Sequence, residues 1–186
     1  MRFKELEVKY DAANINAGDF FALIETMPIV KQITVSSYDD YFTNENNDFV
    51  RYRHNNDIGE LTTKRKTNNS NNNNRIEVNL PTEGGQFSTV STFLGLMGYK
   101  YNFGIYKTCQ IYWTNKVNLV YYIVYDKTFQ EKRRFIEIEA NEDYPWESED
   151  QAWSEILKYE KKLESLSITP QHRLKKSLFE IFYKPN

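Results

Sequence analysis

Polar and apolar positions alternate along much of this chain. In Phe3–Tyr10 the apolar Leu6, Val8 and Tyr10 fall on one face of an extended backbone, and Glu5, Glu7 and Lys9 share the other with Phe3. The same period-two pattern returns at 31–43, 49–54, 60–66, 75–80, 103–113, 116–126 and 135–140, which predicts eight strands. Helical spacing replaces it in four places. Residues 16–27 carry Phe20, Phe21 and Ile24 and stop at Pro28, and residues 86–97 carry Val90, Phe93, Leu94 and Met97 and stop at Gly98. Ser148 and Gln151 resemble a capping box ahead of Ala152, Ile156, Tyr159 and Leu163. Thr169 and Pro170 then predict the start of a last helix bearing Leu174, Leu178 and Ile181.

Turn chemistry separates these elements. Asn44–Asp48, Asn55–Gly59 and Thr114–Asn115 read as hairpin connections, and the Asn tract at 68–74 reads as a flexible loop because it has no apolar area to bury. With no internal repeat, the order of elements describes one domain over residues 1–186.

The polar faces of the strands are not mixed at random. The first and last strands each carry a pair of glutamates, Glu5/Glu7 and Glu137/Glu139, whereas the middle strands carry Arg51/Arg53, Lys64/Lys66 and Arg75. Were the sheet to curl so that these faces look inward, it would enclose a polar lumen. So many charges cannot stay dry and unpaired. They call for a polyanionic ligand, and the carboxylates for a hard divalent cation on oxygen, as in phosphoryl transfer. Each Arg or Lys contact to a phosphate oxygen contributes about 1.5–3 kcal/mol.

Composition narrows this picture. The single Cys109 excludes an intramolecular disulfide framework, and with only His54 and His172 beside it a thiolate or imidazole zinc site is excluded as well. A net charge of −2 provides no global field for nucleic acid or anionic membrane, so any polyanion site must come from local clustering. Without an apolar leader or an 18-residue apolar run, the expected setting is cytoplasmic, with neither membrane nor DNA as a partner.

In order along the chain, the motifs resemble those of the CYTH domains, or triphosphate tunnel metalloenzymes. Glu5-Leu6-Glu7-Val8-Lys9 matches the ExExK signature, Asp40-Tyr41-Phe42 and Val50-Arg51-Tyr52-Arg53 resemble the segment and LRxR strand that follow it, and Leu61-Thr62-Thr63-Lys64 resembles LTxK. Arg75-Ile76-Glu77 resembles RxE, Asp126 fits the aspartate ending the penultimate barrel strand, and Phe135–Glu139 resembles the closing FxExE. Two features depart from the pattern. Lys107-Thr108-Cys109 stands where the family often has KxR, and the His-Phe pair that precedes ExExK in class IV adenylyl cyclases is missing, with only Arg2-Phe3 nearby.

The resemblance implies an α+β fold, a closed eight-stranded, mainly antiparallel β-barrel with flanking helices. It implies that Glu5, Glu7, Asp126, Glu137 and Glu139 hold Mg²⁺ or Mn²⁺, and that Lys9, Arg51, Arg53, Lys64, Lys66, Arg75 and Lys107 grip the triphosphate. Glu5, Glu7, Lys9, Glu137 and Glu139 would form the catalytic set. The expected activity is metal-dependent hydrolysis of a triphosphate: inorganic triphosphate, thiamine triphosphate, a nucleoside triphosphate or an RNA 5′ end, by a monomer or homodimer. Two alternatives stand beside it: a cyclase releasing pyrophosphate from ATP, and a non-catalytic binder of triphosphate or polyphosphate. Glu77 serves equally well as a neutralising partner for a cation or as a metal ligand, Cys109 is a lumen residue without a base to activate it, and His54 is a loop residue rather than a base.

Overall fold

The computed structural model of the chain describes residues 6–66 and 75–183, with the side chains of 65, 66, 75 and 76 left aside. Glu5 and the Asn tract lie outside the described residues. Eight strands form one sheet: β1 (Glu7–Asp11), β2 (Lys31–Thr43), β3 (Phe49–His54), β4 (Ile58–Lys66), β5 (Arg75–Glu83), β6 (Lys100–Trp113), β7 (Val117–Tyr125) and β8 (Glu131–Ala140). Every pairing is antiparallel, in the order β1-β8-β7-β6-β2-β3-β4-β5. The helices are α1 (Ala17–Glu25), α2 (Phe87–Leu96), α3 (Glu149–Lys162) and α4 (Leu178–Phe182).

Short side chains fix the hairpins. Asn44 Oδ1 accepts from the backbone N–H groups of Asn46 and Asp48, and Asn55 Oδ1 from those of Asp57 and Ile58. Between β6 and β7 the Thr114 hydroxyl closes the turn on Val117, accepting from its N–H and donating to its carbonyl.

One face of the sheet is apolar and packs outward under helices. Leu6, Val8 and Tyr10, Leu119 and Tyr121, and Ile136 and Ile138 form a buried layer with Phe20 and Ile24 of α1 and Ala152, Ile156 and Tyr159 of α3. Burying each large side chain contributes roughly 1.5–3 kcal/mol, so this layer is the main anchor of the β1–β8–β7 half. Under α2 a smaller layer joins Val90 and Leu94 to Phe42 and Tyr52. With the helices on that face, the charged positions are left on the other. Residues from all eight strands, from Glu7 on β1 to Asn79 on β5, line a single cavity of about 420 Å³, so the sheet is curled into a deep trough.

The expected closed barrel is not what forms. Among the described residues β1 and β5 do not pair, and they remain the two ends of the sheet. The reason lies at the outer edge of β1, which is already occupied. Leu174 donates its N–H to the Lys9 carbonyl at 2.7 Å, and Tyr10 bridges to Arg173. Arg173 is pinned in turn: its guanidinium binds the buried Glu160 carboxylate of α3, which also accepts the Tyr10 hydroxyl. An edge satisfied in this way has no ladder groups left at that point for β5.

The last predicted helix is also corrected. Pro170–His172 make only a 3₁₀ turn, Leu174 follows in extended chain against β1, and helix resumes in the short α4. Ser177 caps α4, its hydroxyl accepting from the Glu180 N–H at 3.2 Å while the Glu180 carboxylate accepts from the Ser177 N–H at 2.7 Å. Helical spacing alone predicts Leu174 and Leu178 on one continuous helix, but the pairing of Leu174 with β1 outcompetes helix propagation there.

Candidate functional site

Ladder register decides which charges meet across the trough. Lys9 is directly opposite Glu137, and Glu7 opposite Glu139, where β1 pairs β8. On the far side Asp39 faces Arg53 across β2–β3, and Lys64 faces Glu77 across β4–β5. Directly opposed residues on one face lie close enough for their side chains to interact.

The side chains complete these pairings. Lys9 Nζ lies 2.9 Å from Glu137 Oε1 and 3.3 Å from Glu7 Oε1, and the Tyr122 hydroxyl donates to Glu137 at 2.8 Å. Arg53 makes a two-pronged contact with Asp39, from Nε at 2.8 Å and Nη2 at 3.1 Å, while Lys107 Nζ approaches the second oxygen of Asp39 at 3.1 Å. Lys64 Nζ is 2.6 Å from Glu77. Arg51 donates through Nη2 to Thr62 at 2.8 Å and lies 3.4 Å from Glu60 and 3.8 Å from Glu77. Its Nε is buried without a hydrogen-bond partner among the described residues. An unmet donor on a buried guanidinium, inside a polar cavity, is a costly feature that an incoming oxygen ligand would relieve.

Asp39 is the electrostatic centre. It is 0% exposed, and burial alone would raise its carboxyl, but Arg53, Lys107 and Arg51 outweigh that and hold it well below the usual carboxylate range. Glu137 behaves likewise: burial pushes it up, and the Lys9 cation and its hydrogen bond bring it down past the ordinary value. Lys107 moves the other way from a normal lysine. Burial and then repulsion from Arg53 lower it, and the attraction of Asp39 offsets only part of this. Crowding cations so that one of them is destabilised prepares a site for added negative charge.

Glu7, Lys9, Arg51, Arg53, Lys64, Lys107, Glu137 and Glu139 all line the cavity. Asp126 does not join them. It sits in the β7–β8 turn, where its carboxylate accepts from the N–H groups of Thr128 and Gln130 and pairs with Lys132 at 2.7 Å. Glu5 lies outside the described residues, as do the side chains of Lys66 and Arg75. Cys109 is a buried lumen residue, its thiol raised by burial. Glu77 serves as a partner of Lys64 and Arg51. His54 ends β3 on the opposite face of the sheet, bonded to Asp40 at 2.8 Å, and is not a loop residue.

Asp39 is absent from the residues that the sequence motifs single out, which fall on its neighbour Asp40. The signal was available: in a strand of alternating faces Asp39 shares its side with Tyr41, and only one of two adjacent aspartates can face the Arg51/Arg53 side. Tyr122, Thr62 and Asn79 were missed for a different reason. They are uncharged, and what recruits them is hydrogen bonding to Glu137 and to the Arg51–Thr62 pair.

Among the described residues no cluster of three or more His, Cys, Asp or Glu is placed to hold a metal ion. The donors that do face each other are the carboxylates of Glu7 and Glu139, hard oxygen ligands on opposed ladder positions. Two carboxylates suit Mg²⁺ or Mn²⁺, which keep several waters and complete their shell on phosphate, better than they suit a fully protein-built cage.

One end of the trough is apolar and filled. Phe179 of α4 stacks on Phe49 at 4.5 Å between ring centroids and lies 5.8 Å from Tyr41 and 6.0 Å from Phe103, with Leu178 buried beside it. The charged zone therefore ends against a plug contributed by the C-terminal helix, and a ligand has to enter from elsewhere.

No family model matches this chain, and no relative is found among curated proteins. Solved structures do match. A protein of Pyrococcus horikoshii is 20% identical, aligned over 95% of this chain and 98% of its own with a TM-score of 0.72. A conserved hypothetical protein from Pyrococcus furiosus is 21% identical over 96% and 99%, with a TM-score of 0.69. A protein from Bacillus halodurans, provisionally named an adenylate cyclase, is 15% identical over 99% and 100% with a TM-score of 0.66. These likenesses extend over essentially whole chains, and they establish a shared fold. A fold is host to many chemistries, so function has to be argued from the site.

Proposed function

We propose that this chain is a triphosphate tunnel enzyme of the CYTH type, hydrolysing a triphosphate with the help of a divalent cation. The observation that carries the reading is Arg51: a buried guanidinium with an unmet Nε donor, among Arg53, Lys64, Lys107 and Lys9 on the walls of one cavity. The shared fold with a protein provisionally named an adenylate cyclase agrees with a triphosphate ligand.

In this reading Arg51, Arg53, Lys64 and Lys107 take the phosphate oxygens, exchanging their present carboxylate partners for stronger, more highly charged ones. Lys66 and Arg75, ladder partners one same-face step beyond Lys64 and Glu77, are proposed as further phosphate ligands. Lys9 bridges the cationic wall to the carboxylates, since it contacts both Glu7 and Glu137. Glu7 and Glu139, with Glu5 and Glu137, would hold Mg²⁺ or Mn²⁺, which when bound neutralises charge on the phosphate oxygens. Catalysis then consists of positioning and charge stabilisation for in-line attack on the terminal phosphorus. Tyr122 keeps Glu137 oriented toward Lys9 by donating to its carboxylate.

A second reading rests on the name of the Bacillus halodurans neighbour: the same site would hold ATP while the ribose hydroxyl attacks the α-phosphorus, releasing pyrophosphate. The experiment that decides is product analysis with ATP, inorganic triphosphate and thiamine triphosphate, each with Mg²⁺ and with Mn²⁺. Orthophosphate is expected. Cyclic AMP with pyrophosphate would transfer the site to the second reading, and no turnover with tight binding would make the chain a binder, in keeping with Cys109 in place of a phosphate-gripping arginine.

A further inference from the structure

A second cleft, of about 610 Å³, lies on the outer face of the sheet between the backs of β2, β3 and β6, the first turns of α2 and the β7–β8 turn. Alternation separates it from the trough. Tyr38 and Asp40, His54 and Tyr106 occupy positions adjacent in sequence to Asp39, Arg53 and Lys107, so the sheet itself lies between the two sites. Its size falls in the range of small-molecule pockets, roughly 300–1,000 Å³.

The lining combines rings with a few convergent polar groups. Tyr38 and Tyr106 pack with centroids 5.0 Å apart, and Phe129 meets Tyr106 edge-on at 5.2 Å. These rings are not hidden: Tyr38 is 42% exposed and Phe129 59% exposed. Phe129 also adopts φ of 57°, a left-handed conformation that a bulky side chain rarely takes and that clusters at ligand sites. Asp126 enforces this turn, which puts the Phe129 ring against Tyr106 at the edge of the cleft. In the floor, His54 and Asp40 are hydrogen-bonded at 2.8 Å. Gly104 makes room for Asp40 and Tyr101, since a Cβ there would come within 2.3 Å of Asp40 Oδ1 and 2.8 Å of the Tyr101 hydroxyl. Lys127 stands at the rim, its Nζ 4.7 Å from the centre of the Tyr101 ring.

We propose that this cleft is a second ligand site, for an uncharged planar heteroaromatic ring with a hydrogen-bonding edge, the chemistry of a nucleobase or nucleoside. Aromatic walls of this kind select a flat ring. Asp40 and Lys127 carry opposite charges and so favour neither a polyanion nor a bare cation, and they provide an acceptor and a donor for a base edge. A saturated apolar ligand would cover the rings but offer no hydrogen bond to Lys127 at the rim or to the Asp40 oxygen that does not bind His54. The proposal does not depend on the chemistry of the trough.

The test is saturation-transfer NMR and titration of the full chain with adenosine and cytidine, with cyclohexanol as the saturated control. Both nucleosides are expected to bind at millimolar or lower concentration, undisturbed by excess inorganic triphosphate. Phe129→Ala, a change on an exposed turn that leaves both cores untouched, is expected to weaken binding by roughly tenfold. Arg51→Gln, in the trough, is expected to leave nucleoside binding within about twofold of wild type. The proposal fails if neither nucleoside binds, if cyclohexanol binds as well as they do, or if Phe129→Ala binds like wild type. It fails equally if triphosphate or Arg51→Gln abolishes binding, because the nucleoside would then occupy the trough.

Discussion

Lys9 on β1 and Glu137 on β8 are directly opposed in the ladder, with Nζ 2.9 Å from Oε1. One register step away Glu7 opposes Glu139, so a cation–anion pair and an anion–anion pair alternate along the same seam. Like charges set directly opposite each other are unfavourable unless something positive lies between them. Lys9 relieves part of this through Glu7, and in the proposed function a divalent cation would bridge the two carboxylates.

Glu7→Gln with Glu139→Gln is therefore expected to abolish turnover that depends on Mg²⁺ or Mn²⁺ while the fold persists, since no apolar core is cut. Thermal unfolding with and without metal checks it: the wild type should gain stability from saturating Mg²⁺ or Mn²⁺, and the double variant should not. A metal-induced shift retained by the variant would remove these two carboxylates from the metal site.

Arg51→Ala should weaken inorganic triphosphate binding by at least about 1.5 kcal/mol, roughly tenfold, as expected for the loss of a charge-assisted contact. Arg51→Lys should recover only part of it, because an ammonium cannot reproduce the fork of a guanidinium. Calorimetric titration of both variants tests the point, and wild-type affinity in Arg51→Ala would place the ligand elsewhere.

Asp39→Asn removes a charge that faces both Arg53 and Lys107. Breaking a buried pair in this way costs about 3–5 kcal/mol, so the variant should unfold at markedly lower denaturant. A pH dependence follows from the same residue. Because the folded carboxyl of Asp39 is held below its ordinary value of 3.8, it stabilises the fold at pH above that value. That contribution declines as pH falls below it toward the depressed folded value. Acid titration of wild type and Asp39→Asn should show a shallower loss in the variant across that window.

Lys107 predicts the alkaline side. Its ammonium is less favourable than that of a free lysine, whose reference value is 10.5. Affinity for triphosphate should therefore begin to fall at a pH below that of an ordinary lysine titration, as Lys107 loses its proton. Lys107→Arg, which stays charged, should flatten this limb. Binding measured across the alkaline range distinguishes the two profiles.

Phe179→Ala tests the plug. Its ring stacks on Phe49 at 15° between planes and is buried against Tyr41. Truncation should cost about 3–5 kcal/mol, read by chemical denaturation, if α4 is an integral wall of the trough. A change below about 1 kcal/mol would make α4 a detachable cover instead.

Local pattern was enough for the strands, their order as elements, and which face of each is charged. These are local consequences of a two-residue period: Leu6, Val8 and Tyr10 fall on the face packed against the helices, and Glu7 and Lys9 on the face that lines the trough. It also made Glu7, Lys9, Arg51, Arg53, Lys64, Glu137 and Glu139 candidates for one site. Which charges meet, and where the sheet ends, depended on the folded chain. Asp39 became central through register, because its ladder partner is Arg53 and Lys107 reaches it from the neighbouring strand. Asp126 stands apart from the residues that line the trough, its carboxylate bonded within the β7–β8 turn. The barrel stayed open because Leu174, 165 residues downstream of Lys9, claims the edge of β1. Period and composition describe a strand's two faces, but its edges carry the same N–H and C=O groups in every sequence, and only the folded chain settles what they bind.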